Sequence, residues 1–265
     1  MNVKEVQVKT LIKTITKKDI LFHGNYTLDP YQNCEFGCIY CDSTLDDTIY
    51  VKTNALNLLN QELTQLSLGR IIIGSVHDPY QPVEQKFHLT HKIISLLSQT
   101  KFPVHILTKS PTVLKDMSII KTLVQPIVTF TILGLEDSFW KTIEPNAPSP
   151  IKRLQAMKTL SSQGITTGIA LIPIFPFITE NYLQDLITKA KKYHASYLLY
   201  KPLFLQGKQK EIFLKHIKES YPKIYSQYQE LYHNSPTPPQ RYTNNLHHSI
   251  INSCKNLNLS TVIPE

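Results

Sequence analysis

The sequence predicts an α/β fold, a partial (β/α)6 TIM-like barrel with a C-terminal helical extension, on three observations. Short β-branched runs alternate with stretches of helical periodicity through most of the 265 residues, an order that places parallel strands inside and helices outside. About six such βα units can be counted, fewer than the eight of a closed barrel, so the sheet is expected to curve without closing. From about residue 207 the alternation gives way to helix-like sequence, which predicts a barrel over 1–205 and a helical cap over 206–265.

Taken in order, "HGNYTLDPYQ" (23–32) reads as the first strand and "TNALNLLNQELTQLSL" (53–68) as its helix. "GRIIIGS" (69–75) is a buried strand with a glycine stop. "LTHKIISLLSQ" (89–99) carries Leu89, Ile93, Leu96 and Leu97 on one helical stripe. "FPVHILTKS" (102–110) is a strand, and Pro111 opens a helix over 111–123 where a missing N–H costs nothing. "PIVTFTIL" (126–133) follows as a strand. "SPIKRLQAMKTLSSQG" (149–164) has a serine N-cap, an early proline and a closing glycine. "ITTGIALIPI" (165–174), "NYLQDLITKAKKYH" (181–194) and "ASYLLYKPLF" (195–204) continue the pattern. Beyond it lie two tyrosine-rich helical stretches punctuated by Pro222, a proline-rich loop (234–245) and a short helix holding Cys254.

No apolar run reaches the length of a membrane span, and the charged start "MNVKEVQVKTLIKTITKKD" lacks a signal-peptide core. A cytoplasmic chain is expected. Twenty-eight Lys and Arg against twenty Asp and Glu give a net charge of +8, an excess that steers anionic partners, nucleic acid first among them. The densest basic run, "KAKKYH" (189–194), also reads as one solvated helix face.

Three of the four cysteines crowd into "YQNCEFGCIYCDS" (31–43) as Cys34, Cys38 and Cys41. A reducing compartment disfavours disulfides, so metal binding or catalysis is expected. Structural zinc wants four ligands, and the fourth cysteine lies more than two hundred residues away, so a histidine would have to complete the set. Thiol redox chemistry would use the CxxC pair and leave Cys34 idle. The third option is a [4Fe–4S] cluster, in which three thiolates leave one iron open for a small chelating molecule. Gly37 lets the loop turn tightly, and Tyr40 can shield the cluster from water.

"CEFGCIYC" resembles the CxxxCxΦC signature of the radical S-adenosylmethionine (SAM) enzymes, with an aromatic at Φ. Residues 25–205 resemble the spore photoproduct lyase-like branch of that superfamily. The resemblance rests on "LDPYQNCEFGCIYCD", "HDPYQPVE" (77–84), "ILTKS" (106–110), "FTI" (130–132), "IEPNAPSPIKRL" (143–154) and "GIALIPIFPFI" (168–178). Asn33, Phe36 and Asp42 depart from the branch's pattern. The resemblance implies an open iron that chelates SAM, whose reductive cleavage gives methionine and a 5′-deoxyadenosyl radical that abstracts hydrogen. It implies an electron donor such as flavodoxin or ferredoxin, and a substrate that is a nucleic acid or nucleotide, or else a peptide or small metabolite. A zinc-stabilised nucleic-acid-binding protein is the non-enzymatic alternative.

Under the resemblance Cys34, Cys38 and Cys41, in a loop over 33–42, ligate the cluster and Tyr40 lies against it. Lys109 would meet the methionyl carboxylate, its alternative being a plain surface lysine. Ser75 and His77 would contact the methionyl end or ribose, although the branch more often shows Thr or Ser at 77. Thr131 would touch the cofactor and Ile169 would line the adenine; each also suits a packed strand. Glu144 matches a family element, or is a charge placed at a helix end. Asp78 and Tyr80 are the candidate catalytic residues, Tyr80 as a hydrogen donor or, alternatively, as packing. Photoproduct lyase itself uses a cysteine after the second strand. Here "GSVHDPYQ" has Ser75 and Val76 instead, so thymine-dimer repair is not expected.

Overall fold

The computed structural model describes residues 1–42 and 46–264. Its main sheet has seven strands, in the order β10-β9-β8-β7-β6-β3-β2. Six of them run parallel: β3 (Tyr26–Leu28), β6 (Ile71–Ile73), β7 (Pro103–Thr108), β8 (Val124–Thr131), β9 (Thr166–Ile174) and β10 (Tyr197–Pro202). Edge strand β2 (Ile12–Thr14) pairs antiparallel with β3. Beside the sheet, β5 (Thr48–Lys52) joins parallel β1 (Asn2–Val6) to antiparallel β4 (Tyr31–Gln32). The expected first strand over 23–32 is therefore two strands in two sheets. Pro30 divides them, because it cannot donate to a ladder.

Helices α1 (Ala55–Leu63), α3 (Leu89–Leu97), α6 (Pro150–Ser162) and α7 (Leu183–Lys192) bury their apolar faces in the core against the outer faces of the strands. Residues with period two alternate between that core and the concave side. Ile169 and Leu171 of β9 lie in the helix-side core, while Ala170 and Ile172 line a cavity on the concave side. Short helices α2 (Glu84–Phe87), α4 (Met117–Ile120) and α5 (Asp137–Ile143) fill the connections. The helix expected over 111–123 begins as a tight 3₁₀ turn, Pro111–Asp116, capped by Ser110, whose side chain accepts from Thr112 N. Ser149 was expected to cap α6 with its side chain. Its backbone carbonyl accepts from Arg153 N at 3.2 Å and the hydroxyl makes no cap bond.

The inside of the partial barrel is filled from both chain ends. Asp19 accepts from the amides of Leu21, Phe22 and Gly24 at 3.0–3.1 Å, folding Phe22 edge-on against the buried His105. From the other end, Ser260 O accepts from Leu198 N at 2.8 Å, and Ile263 is buried with Ile127, Tyr197 and Leu199.

After β10 come α8 (Gly207–Ser220), α9 (Tyr225–Leu231) and α10 (Gln240–Asn256). Phe213, Ile217, Tyr228 and Tyr232 pack with Phe175, Ile178 and Leu203. Tyr228 and Tyr232 stack at 5.9 Å in the interior. Helix α10, expected to be short, runs 17 residues. Only Leu246, Ile250 and Cys254 of it are buried, a three-residue stripe at four-residue spacing that polar sequence conceals. Among the described residues, no helix is long and apolar enough to cross a membrane.

Candidate active site

Parallel barrels concentrate chemistry at the C-terminal ends of their strands, where connecting loops converge. At that end a cavity is lined by Cys34, Cys38 and Cys41 from one loop and by Ser75, Lys109 and Thr131 from three strand ends. Tyr40 and Asp78 also border it. The cysteine loop turns through Asn33 at φ 64° and Gly37 at φ 63°, and Cys41 N donates to Cys38 O at 3.0 Å.

Four distant segments brace this loop. Asn33 Nδ2 donates to Thr48 O at 2.7 Å. Gln81 donates from Nε2 to Asn33 O and accepts at Oε1 from Glu35 N, both at 3.0 Å. Ile39 N donates to Ile143 O, and Asn146 N to Phe36 O. Gln209 of α8 donates from Nε2 to Ile39 O. The loop is thereby pre-shaped by β5, the segment after β6, the end of α5 and the C-terminal helices.

Glu144 is the electrostatic centre beneath the loop. It is 1% exposed and pairs with Arg153 at 2.6 Å, accepts from Tyr40 Oη at 2.6 Å, and lies 4.0 Å from Lys109 Nζ. Burial would raise its carboxyl pKa, but Arg153 and Lys109 outweigh that and hold it below the usual range. Arg153, fully buried, also donates to Pro148 O and to Thr131 O at 2.7 and 2.8 Å. Burial alone would lower the Lys109 pKa; Cys38, Glu144 and Asp78 reverse the effect and keep the ammonium charged. Lys109 Nζ also sits 5.8 Å from the centre of the Tyr40 ring.

Burial pushes the Cys34 thiol up to about 12 and the Cys38 thiol higher, with Lys109 opposing both. Thiolate ligands are anionic, and a cationic metal centre would supply the charge that offsets this burial. Three cysteines lining one cavity are the donor set an iron–sulfur cluster uses. Among the described residues, no three His, Cys, Asp or Glu side chains converge as a site for a single ion.

Asp78 is engaged as a brace. It accepts from Tyr80 N and Thr108 Oγ1 at 2.9 and 2.8 Å, and from Lys109 N at 2.6 Å, which fixes the end of β7 against the segment after β6. Three predicted residues lie elsewhere. Tyr80 points its hydroxyl to the buried Asp116 at 2.9 Å, which the exposed His91 also meets, and does not line the cysteine cavity. His77 borders a neighbouring cavity with Lys13 and Lys52. Ile169 faces the helix layer because of strand alternation, and the wall residues are Ala170 and Ile172. Arg153, Gln81, Gln209 and Asp29 were not singled out in the sequence. Asp29 accepts from Ser75 Oγ, Val76 N and His77 N at 3.0–3.2 Å. Arg153, Gln81 and Asp29 left a trace inside the "IEPNAPSPIKRL", "HDPYQPVE" and "LDPYQNCEFGCIYCD" stretches, and Gln209 left none.

The family model of the radical SAM superfamily matches residues 28–190. This chain belongs to the radical SAM superfamily. An uncharacterized protein of Methanocaldococcus jannaschii is 30% identical over 229 residues, covering 81% of this chain and 85% of its own. One of Mycobacterium tuberculosis is 26% identical over 237 residues, covering 82% and 70%. Among solved structures, spore photoproduct lyase complexed with dinucleoside spore photoproduct is similar with a TM-score of 0.71 at 18% identity, covering 96% of this radical SAM chain and 79% of that one. A mutant form of the same lyase gives 0.74 at 17%. At such identities the likeness is one of fold: a mixed α/β architecture around a largely parallel sheet. The chain is a radical SAM enzyme.

Proposed function

We propose that Cys34, Cys38 and Cys41 hold a [4Fe–4S] cluster, that the adjoining cavity takes SAM, and that the substrate is a nucleic acid or nucleotide. The observation that carries the reading is the meeting of three cysteines and a charged, half-buried lysine on one cavity at the strand ends. When bound, the cluster and SAM together supply reductive cleavage of a sulfonium bond and a carbon radical that takes hydrogen from substrate. The protein positions and shields. Lys109 offers its ammonium to a ligand carboxylate, and Glu144 with Arg153 fixes where that ammonium stands. Tyr40 covers the loop edge-on to Phe175 at 5.6 Å. Ser75 and Thr131 line the same cavity from the ends of β6 and β8. A small reduced electron-transfer protein, flavodoxin or ferredoxin, would serve as reductant.

The net charge of +8 supports the substrate class, since an anionic polymer is steered to such a surface. The test is anaerobic reconstitution with iron and sulfide, then incubation with SAM and dithionite. The expected result is a brown protein that releases 5′-deoxyadenosine, with labelled hydrogen passing into that product from a nucleic acid or nucleotide. A tightly held zinc that iron does not replace would overturn the cluster assignment. Labelling only from a peptide or metabolite would overturn the substrate class.

A further inference from the structure

Next to the cysteine cavity lies a second one that shares Tyr40, Cys41 and Ile172 with it. Its far wall is the end of β10 and the start of α8, contributing Lys201, Phe204, Gly207 and Gln209. Phe204 is 51% exposed, a large apolar ring left facing solvent at the mouth of the site. Lys201 is exposed and forms no ion pair among the described residues.

Gln209 is 4% exposed, and its Oε1 has no hydrogen-bond partner among the described residues. The orientation of the amide is fixed, because its Nε2 donates to Ile39 O in the cysteine loop. This acceptor belongs to a residue that lines the cavity, and a buried acceptor without a donor is costly. Helix α8 starts at the same wall with its first-turn N–H groups unpaired by any cap: Gln206 at the N-cap makes no side-chain bond. Gly207 stands at φ 55°, and a Cβ there would meet nothing within 4 Å, so the conformation rather than crowding favours glycine. It leaves the helix start uncovered. Unpaired N–H groups and the positive end of the helix dipole attract anions.

We propose that this cavity is a nucleotide subsite for the substrate: Gln209 Oε1 accepts from a base N–H, Phe204 stacks on the base, and the start of α8 with Lys201 takes the phosphate. The three features call for one ligand carrying a flat ring, an N–H donor and an anion, a description a nucleotide meets. The proposal rests on the reading above that the substrate is a nucleic acid or nucleotide. A base could also come from the adenine of SAM, which carries no phosphate.

The test uses the reconstituted holoenzyme and equilibrium binding. The probes are adenosine 5′-monophosphate, purine riboside 5′-monophosphate (which lacks the base N–H donor), S-adenosylhomocysteine and a short labelled single-stranded DNA. Wild type is expected to prefer adenylate over purine riboside monophosphate by about tenfold, the scale of one buried acceptor left unpaired. Gln209→Leu, which also removes the brace on Ile39 O, should erase that preference between the two nucleotides, while Phe204→Ala and Lys201→Ala should leave the affinity for S-adenosylhomocysteine within about twofold. Phe204→Ala, at an exposed position that does not threaten folding, should weaken DNA at least about fivefold. Lys201→Ala should flatten the salt dependence of DNA binding. A loss confined to S-adenosylhomocysteine would assign the cavity to the cofactor and overturn the proposal. DNA and nucleotide affinities unchanged in all three variants would also overturn it, while leaving a nucleic-acid substrate intact. A wild type that cleaves SAM but binds neither DNA nor nucleotides would instead remove the substrate reading itself.

Discussion

Glu144 accepts a hydrogen bond from the Tyr40 hydroxyl at 2.6 Å across 104 residues of sequence, joining the cysteine loop to the segment between α5 and α6. The same carboxylate neutralises Arg153, which is 0% exposed. Removing one partner of a buried pair strands the other, at a cost of about 3–5 kcal/mol. Glu144→Leu is therefore expected to lose about that much in urea denaturation of the metal-free protein. Tyr40→Phe removes one bond and should lose about 1–2 kcal/mol. A loss below about 1 kcal/mol for Glu144→Leu would show that water reaches Arg153 and that the pair is not the loop's anchor.

Lys109 gives a prediction on the ligand side. Its ammonium faces Glu144 at 4.0 Å, but Arg153 alone can balance that carboxylate, so Lys109→Met should remain folded. If Lys109 meets the methionyl carboxylate, SAM should bind the reconstituted variant at least about tenfold more weakly, the scale of a charge-assisted hydrogen bond. Unchanged binding, measured by equilibrium dialysis under anoxic conditions, would leave Lys109 a brace for the loop.

Much of this arrangement could be read from the sequence, and the failures have physical causes. The parallel strands announced themselves because a strand covered on both faces is a continuous apolar run, as in Ile71–Ile73 and Thr166–Ile174. Strands β1 and β2 did not: their residues are mostly exposed and their partners distant. The cysteine loop was legible because its spacing is local. Gln209 was not, since its contact with Ile39 spans 170 residues, and no local pattern encodes that. Ile169 shows the limit of a motif read without its phase: a one-residue offset along β9 turns a side chain from the cavity to the helices.

Gly74 tests how tightly the end of β6 is set. It adopts φ 85°, and an added Cβ would fall 2.5 Å from both Leu107 O and Pro79 Cδ. Backbone cannot yield cheaply there, so Gly74→Ala should destabilise by more than the roughly 1 kcal/mol of a simple glycine substitution. It should also displace Ser75 and Asp78, and reconstituted iron content should fall with stability. A variant as stable as wild type would mean that this turn shifts freely, and that the bracing of Lys109 through Asp78 is loose.

His105 gives a pH dependence with a definite sign. It is 0% exposed, shares a hydrogen bond with Thr129 Oγ1 at 2.6 Å, and burial lowers its pKa from 6.5 to about 3. Above pH 6.5 the ring is neutral in folded and unfolded chains, and stability is unaffected. Between 6.5 and about 3 the unfolded chain takes up a proton that the folded chain refuses, so stability falls as pH falls, by about 1.4 kcal/mol per unit. His105→Gln keeps a side chain able to bond Thr129 but cannot titrate. Urea denaturation of both proteins from pH 7.5 down to 4.5 should show wild type losing stability faster, with the two curves converging toward acid. Because every other titrating group is common to the pair, parallel curves would mean that the ring is protonated in place and that water enters the barrel beneath the cysteine loop.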